Sequence, residues 1–248
     1  MSQGPTAQRA QVLLDLLELV VAVRPRERAV VGIDGPDGVG KSTLAAELLA
    51  VAPAVSGREV VGVGIDSFHR PRAERYAHGR DAESYYRHAF DYDALRRCVL
   101  DPFRAGREIV PAVHDVATDE AVFPDPIEVG EDALLLLDGV FLQRQELQPQ
   151  LDAVLLVTAD LEVTVPRGNA RFARPAEEDD PDHPANARYV GAQRMYAHEL
   201  RRQGTFPTWI LDNTDLDRPR LLQPDVEAGW RSRGFSADGP HVDWPAES

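Results

Sequence analysis

The sequence is nearly devoid of lysine and cysteine, and it has no long apolar run. Among 248 residues, Lys41 is the only lysine and Cys98 the only cysteine. A single cysteine excludes an intramolecular disulfide, so we assign Cys98 to helix packing. No apolar stretch approaches the ~18 residues of a membrane span. The N-terminus also lacks the basic-then-apolar pattern of a signal peptide. These absences predict a cytoplasmic protein with no membrane partner.

Positive charge is scarce as well. The chain carries 27 lysine and arginine residues against 41 acidic ones, for a formal net charge of −14. This balance argues against a nucleic-acid partner, because phosphate backbones are bound through basic surfaces. The length and a hydrophobic content of 43% favour one large α/β domain over the alternative of two small ones. The sequence is also compatible with a homo-oligomer.

The most informative stretch is a glycine-rich turn between an apolar run at 29–33 and helix-forming residues at 44–50. From Gly35 to Ser42 it matches the P-loop pattern G-x-x-x-x-G-K-[ST]. Backbone N–H groups of such a turn, with the dipole of the following helix, cradle phosphates. We therefore predict an ATP site that comprises Gly35, Pro36, Asp37, Gly38, Val39, Gly40, Lys41, Ser42 and Thr43.

Lysine is retained at one position in a chain that otherwise uses arginine. A compact ammonium fits inside a phosphate cradle, whereas a planar guanidinium has a different geometry. We therefore predict that Lys41 contacts the terminal phosphates and acts in catalysis, and that the Ser42 hydroxyl binds Mg²⁺.

Acidic residues end two predicted strands. The run at 59–65 is interpreted as a buried strand ending in Asp66, which is a candidate general base and metal-site residue or, alternatively, a helix N-cap. The run at 133–137 is the most apolar in the chain and ends in Asp138. After a P-loop, this acid is a candidate Mg²⁺ ligand, although Asp-Gly turns also end strands. The predicted metal site is Ser42, Asp66 and Asp138.

The segment at 70–87 is polar and aromatic. We interpret it as a flap over the substrate, too irregular for a core element. The helix that follows, through Leu100, is expected to begin with Asp93 as its N-cap, which leaves Asp91 free to bind substrate hydroxyls. The flap tyrosines expected around an acceptor are Tyr76, Tyr85 and Tyr86.

The remaining periodicities divide the chain into three parts: an N-terminal helix within 1–27, a domain at 28–223 and a tail at 224–248 in which Trp230 and Trp244 could dock.

Arg167 and Arg171 are four residues apart and share one face of a predicted helix. Other predicted elements are helices at 8–23, 161–173 and 186–203, strands at 108–113, 151–157 and 208–211, a β excursion at 121–130 and a turn at 53–57.

The order of these motifs resembles the uridine kinase branch of the P-loop kinases, which includes phosphoribulokinase and a bacterial pantothenate kinase. The resemblance covers roughly Arg28 to Thr214. It implies a P-loop NTPase of the α/β class. In this fold a parallel sheet is flanked by helices, as in nucleoside-monophosphate kinases, with a lid at about 167–188 and a substrate flap. It also implies ATP and Mg²⁺ as cofactors and a small hydroxyl-bearing molecule as acceptor.

The same resemblance implies roles for individual residues. Asp66 corresponds to the base and metal-site acid, Asp91 to the residue that holds substrate hydroxyls, and two lid arginines to those that stabilise the transferred phosphoryl. The residues assigned on this basis are Asp66, Asp91, Tyr76 and His114 at the substrate and Arg167 and Arg171 in the lid.

Three positions depart from the family pattern. Asp119 stands where uridine kinases have a pyrimidine-reading histidine, the lid has Ala173-Arg174-Pro175 instead of Arg-Gly-Arg, and the acid after the apolar strand is Asp138 instead of Glu. The expected acceptor is a nucleoside such as uridine or cytidine. Alternatives are pantothenate, a sugar phosphate or nicotinamide riboside, or a non-catalytic ATP-binding regulator. A GTPase is excluded, because its Asn-Lys-x-Asp motif needs a second lysine.

Overall fold

The computed structural model describes residues 5–222; the predicted tail at 224–248, with Trp230 and Trp244, lies outside them. A six-stranded sheet forms the centre and a two-stranded hairpin lies apart from it. In chain order the strands are β1 Ala29–Asp34, β2 Val60–Gly64, β3 His114–Asp115, β4 Glu120–Ala121, β5 Leu134–Gly139, β6 Ala153–Thr158, β7 Trp209–Asp212 and β8 Arg220–Leu222.

The sheet order is β2-β5-β1-β6-β7-β8. The first five strands are parallel and β8 runs antiparallel to β7. All six residues of the central strand β1 are buried, because a core packs on each face of the sheet there. Parallel pairing also brings the carboxyl ends of β1, β2 and β5 to one edge of the sheet, where the candidate acids Asp66 and Asp138 lie. The predicted fold class is confirmed.

Alternation along the strands sorts their side chains into two cores, one on each face of the sheet. Val30, Leu135 and Leu137 join the core that contains the flap aromatics. Val31 and Leu136, the intervening positions, join the core under the first two helices.

Eight α-helices cover the sheet in residues 5–222, and no described helix is long and apolar enough to cross a membrane. Leu16 and Leu17 of the first helix are fully buried against the second core. The helices are α1 Ala7–Val21, α2 Lys41–Val55, α3 Arg72–Arg75, α4 Ala82–His88, α5 Tyr92–Leu95, α6 Asp101–Arg104, α7 Leu161–Arg171 and α8 Ala187–Gln203. A π-helical turn, Arg96–Leu100, joins α5 to α6.

Several predicted boundaries are wrong. Residues 53–55 of the predicted turn are instead the end of α2, which contains Pro53. β2 is an edge strand, so Val60 and Val61 are half-buried. The segments at 108–113 and 121–130 do not form the predicted strands. A single bridge pairs Ile109 with Ile127, and the short strands β3 and β4 form a hairpin next to it. β8 was not predicted.

The interpretation of 70–87 as irregular is also wrong. It contains α3 and α4, and α4 packs along α8. Tyr85 and Tyr86 on α4 are buried in the first core. Asp81 begins this helix, since its side chain accepts the N–H of Ser84 at 2.8 Å. Polar composition concealed the helix, because only one face of α4 is apolar.

Candidate active site

The P-loop is fixed by close backbone contacts at its glycines. Gly38 has φ +75°, and a Cβ there would lie 2.1 Å from the carbonyl oxygen of Thr164 in α7. Gly40 has φ +99°, and its Cβ would lie 2.9 Å from the Asn213 side-chain nitrogen. Only glycine is accommodated at both positions. The loop is therefore held between α7 and the segment after β7.

Lys41 is the first residue of α2, and its side chain is buried. Its Nζ donates a hydrogen bond to the Pro36 carbonyl oxygen at 2.8 Å, so the ammonium lies against the loop. The amino terminus of α2 begins at the same point and adds its positive dipole. This arrangement concentrates positive charge where the motif predicts phosphates.

Ser42 and Asp138 are brought together by the pairing of β1 with β5. The Ser42 hydroxyl donates to Asp138 Oδ2 at 2.7 Å. Burial raises the pKa of Asp138 above its usual value, while the serine hydrogen bond opposes this shift. Hydroxyl and carboxylate oxygens fit Mg²⁺, which proteins bind through one or two such groups together with substrate phosphates. Within 5–222, no group of three or more His, Cys, Asp or Glu side chains is arranged to hold a metal ion.

Asp66 lies in a 3₁₀ turn, Ile65–Phe68, directly after β2. The residue at the N-cap of this turn is Gly64, so the alternative that Asp66 is a cap is wrong. The Asp66 side chain is 62% exposed, and its Oδ1 is 3.9 Å from His69 Nδ1. Burial lowers the pKa of His69, which favours the neutral ring. The Asp66 carboxylate is therefore open to receive a proton or a metal's water.

Asp37 connects the P-loop to α4 and α8. Its Oδ2 accepts hydrogen bonds from Gln193 Nε2 of α8 at 3.0 Å and from the Tyr85 hydroxyl of α4 at 3.3 Å. Burial raises the pKa of Asp37, and the Lys41 ammonium opposes this shift. Sequence reasoning placed Asp37 only in the nucleotide loop; the acid in Gly-Pro-Asp-Gly was the available signal.

A second buried carboxylate was missed altogether. Asp34, at the end of β1, is fully buried and accepts from the Gly35 amide at 2.8 Å and from Gln143 Nε2 at 3.0 Å. The Tyr196 hydroxyl of α8 is a third donor. Burial raises the pKa of Asp34. This network fixes the start of the P-loop relative to α8.

Asp91 is the N-cap of α5, and the prediction that Asp93 has this role is wrong. Its Oδ1 accepts the amide of Ala94 at 2.9 Å. The backbone explains this, because the Asp91 amide donates to the Phe68 carbonyl at 2.8 Å and holds residue 91 outside the helix. The argument that capping leaves Asp91 free therefore fails, although its second carboxylate oxygen makes no described hydrogen bond.

His114 and Asp119 are paired across the β3–β4 hairpin. His114 is buried, and its Nε2 is 3.2 Å from Asp119 Oδ1. The same oxygen accepts the amide of Arg72 at 2.8 Å and lies 3.6 Å from Arg75 Nη2. The hydrogen bond from Arg72 lowers the pKa of Asp119. Asp119 thus connects the hairpin to α3. A role for His114 at the substrate stays a prediction.

The three flap tyrosines have different environments. Tyr86 belongs to the core, where its hydroxyl is 2.6 Å from Glu199 Oε2. Tyr85 contacts the P-loop through Asp37. Tyr76 is half-buried, and its ring is surrounded by arginine side chains. Tyr76 is thus the least buried of the three.

The two lid arginines have different contacts. Arg167 donates to the carbonyl oxygens of Asn213 at 3.0 Å and Thr214 at 2.7 Å, and so binds α7 to the segment after β7. The role of Arg167 at the transferred phosphoryl stays a prediction. Arg171 is exposed at the end of α7, with its guanidinium 5.7 Å from the Phe172 ring. Its role at the phosphoryl stays a prediction.

Comparison with known proteins identifies relatives by structure only. No family profile matches the chain, and no curated protein matches its sequence. Among solved structures, a protein described as a possible uridine kinase from Bacillus stearothermophilus matches with a TM-score of 0.61 at 24% identity, over 78% of this chain and 96% of that one. D-glycerate 3-kinase from Cryptococcus neoformans var. grubii serotype A matches with a TM-score of 0.54 at 13% identity, over 87% of this chain and 99% of the other. The fold of uridine kinase-like P-loop kinases, inferred from the motifs, is therefore confirmed.

Proposed function

We propose that this protein is an ATP- and Mg²⁺-dependent kinase that transfers the γ-phosphoryl group to a hydroxyl of a small metabolite. The observation that carries the proposal is the contact of Ser42 with Asp138, at the sheet edge where Lys41 and the exposed carboxylate of Asp66 also lie. These are the parts that phosphoryl transfer needs: a phosphate cradle, a metal site and a base.

The proposed roles follow from the position of each group. The Lys41 ammonium would exchange the Pro36 carbonyl for oxygens of the terminal phosphates. Ser42 and Asp138 would hold Mg²⁺, which supplies charge neutralisation at the phosphates. Asp66 would accept the proton as the acceptor's oxygen bonds to the γ-phosphorus and the bond to the bridging oxygen of ADP breaks.

Two classes of acceptor each have support. The motif resemblance favours a nucleoside, with ribose hydroxyls at Asp91 and the ring near Tyr76. A different small alcohol is favoured by the pairing of Asp119 with His114 and Arg72, because this aspartate already has partners at the position expected to read the base.

A product-resolved assay tests the proposal. ADP release and phosphorylated product are measured with uridine, cytidine, nicotinamide riboside, pantothenate and ribulose 5-phosphate, for the wild type and for Asp66→Asn. We expect stoichiometric ADP and phosphoester with at least one acceptor. ATP binding without a phosphorylated product from a broadened panel of alcohols would instead identify a regulatory ATP-binding protein.

A further inference from the structure

Arginine side chains converge on one tyrosine at the acceptor side. The guanidinium carbon of Arg80 lies 4.6 Å from the ring centroid of Tyr76, and that of Arg188 lies 5.1 Å from it. Arg188 is also 5.3 Å from the ring of Tyr85. Arg75, at 5.5 Å from the Tyr76 ring, is the third cation of the group. Such a cluster is unexpected in a chain with a net charge of −14.

The three cations differ in their partners. Arg75 donates to the Arg70 carbonyl at 2.8 Å and lies 3.6 Å from Asp119, so its charge is compensated. The side chains of Arg80 and Arg188 form no ion pair or hydrogen bond with any residue of the described part of the chain. Moreover, Nη1 of Arg188 is buried without an acceptor.

Ring contacts do not replace these missing partners. Stacking on an aromatic face attracts the cation as a whole, but the N–H groups of a guanidinium point outward in its own plane. A buried, charged donor without an acceptor is unfavourable. Arg188 therefore lacks an oxygen acceptor that a bound anion would supply, and a planar guanidinium suits a carboxylate or a phosphate equally well.

The cluster lies close to the proposed site of transfer. Tyr85 contacts Arg188 through its ring and Asp37 of the P-loop through its hydroxyl, at 3.3 Å. Burial raises the pKa of Tyr85 far above its usual value, and the nearby carboxylates of Asp37 and Asp66 raise it further, so the hydroxyl stays a donor. About one aromatic ring thus separates the arginine from the loop that would bind the phosphates.

We infer that Arg188 and Arg80, stacked on Tyr76, form an anion-binding subsite for the acceptor. The acceptor is accordingly a small alcohol that carries a carboxylate or a phosphate in addition to the hydroxyl that is phosphorylated. This inference rests on the proposed function, since it assigns the substrate class of the same site. Neutral nucleosides are then poor acceptors.

A purely structural role makes a different prediction. If the arginines only join α3 and the following turn to α8 through Tyr76, their loss changes thermal stability and affects all acceptors alike. An anion-binding role changes KM for the charged acceptors selectively and leaves KM for ATP unchanged.

Matched pairs of acceptors separate these roles: pantothenate with panthenol, glycerate with glycerol, ribulose 5-phosphate with ribulose, and uridine as a neutral nucleoside. The variants are Arg188→Gln and Arg80→Gln. The controls are Arg194→Gln, an exposed arginine on α8, and Arg87→Gln, an exposed arginine on α4, both of which already have carboxylate partners. The carboxylate and phosphate pairs distinguish the two sources of the anion.

We expect at least one charged acceptor to have a KM tenfold or more below that of its neutral counterpart. Arg188→Gln should abolish this preference, Arg80→Gln should reduce it, and the controls should keep it. A preference for the neutral members, or an equal effect of Arg188→Gln on both members of a pair, would overturn the inference.

Calorimetry separates this outcome from failure of the proposed function. The same compounds are titrated into protein saturated with a non-hydrolysable ATP analogue. If no acceptor is phosphorylated but charged compounds bind in an Arg188-dependent manner, the kinase proposal fails and the anion site stands. If neither member of any pair binds more tightly than the other, the anion site is refuted.

Discussion

The nucleotide side and the acceptor side of the site are built in different ways. On the nucleotide side, one continuous segment, 34–42, supplies the loop, the lysine and the serine, and glycines with positive φ set its shape. On the acceptor side, single side chains arrive from α3, α4, α8 and the β3–β4 hairpin. Asp37 connects them directly, through hydrogen bonds to Tyr85 and Gln193.

This difference explains why the chemistry is easier to assign than the acceptor. Phosphates are bound mainly by backbone N–H groups and one ammonium, which a local motif specifies completely. Acceptor recognition depends on which side chains meet across long sequence separations. Variants that change nucleotide binding but not acceptor binding, or the reverse, test this difference between the two sides.

The largest effect is expected at Lys41. Because its ammonium lies over the phosphate loop, Lys41→Ala should lower kcat by about 10²–10³-fold, as for loss of a preorganised charge donor. Lys41→Arg should also largely inactivate, since the buried space next to Pro36 fits an ammonium. Steady-state kinetics with circular dichroism as a folding control measure this. An arginine variant near the wild-type rate would contradict the geometric argument.

The next effect is expected at Asp66. Asp66→Asn should lower kcat by roughly 10²-fold or more if the carboxylate takes the acceptor's proton. The exposed side chain caps no helix, so the melting temperature should stay unchanged. Parallel kinetics and thermal denaturation give both values. Unchanged kcat would exclude Asp66 as the base.

A smaller effect is expected in the lid, where the structure separates two residues that the sequence grouped. Arg171→Ala should lower kcat by roughly tenfold with little change in KM for ATP, less than the loss of a fixed donor because the side chain is exposed. Arg167→Ala removes hydrogen bonds to the segment that also contacts the P-loop, so it should raise KM for ATP instead. Identical kinetic profiles for the two variants would show that the lid acts as one unit.

The smallest effect is expected at Asp91, where capping and substrate binding must be told apart. Asp91→Ala should destabilise the fold by about 1 kcal/mol through loss of the N-cap, which lowers Tm by roughly 2–4 °C for a domain of this size. Asp91→Asn should retain the cap and the Tm. If Asp91→Asn nonetheless raises KM for the acceptor, the carboxylate contacts substrate; if both variants keep wild-type KM, Asp91 is only a cap.

Sequence reasoning was accurate where short-range rules decide the structure. Strand β1, the P-loop and helix α2 follow one another within 27 residues, so composition and glycine spacing specify them together. The apolar run into Asp138 was found for the same reason, since a central strand is buried on both faces. Asp66 was located by the same logic, as the acid after a predicted strand.

On the proposed acceptor side, the partners of individual side chains depend on contacts between residues that are far apart in the sequence. Whether Asp91 or Asp93 caps α5 was settled by a backbone hydrogen bond to Phe68, 23 positions earlier. The hydrogen bonds of Arg167 to two carbonyl oxygens depend on where the segment after β7 packs. The guanidinium of Arg188 lies over the Tyr76 ring because α8 packs against α4. Periodicity can specify that a helix has an apolar face, but the partner of each polar group on its other face is chosen only when distant elements pack.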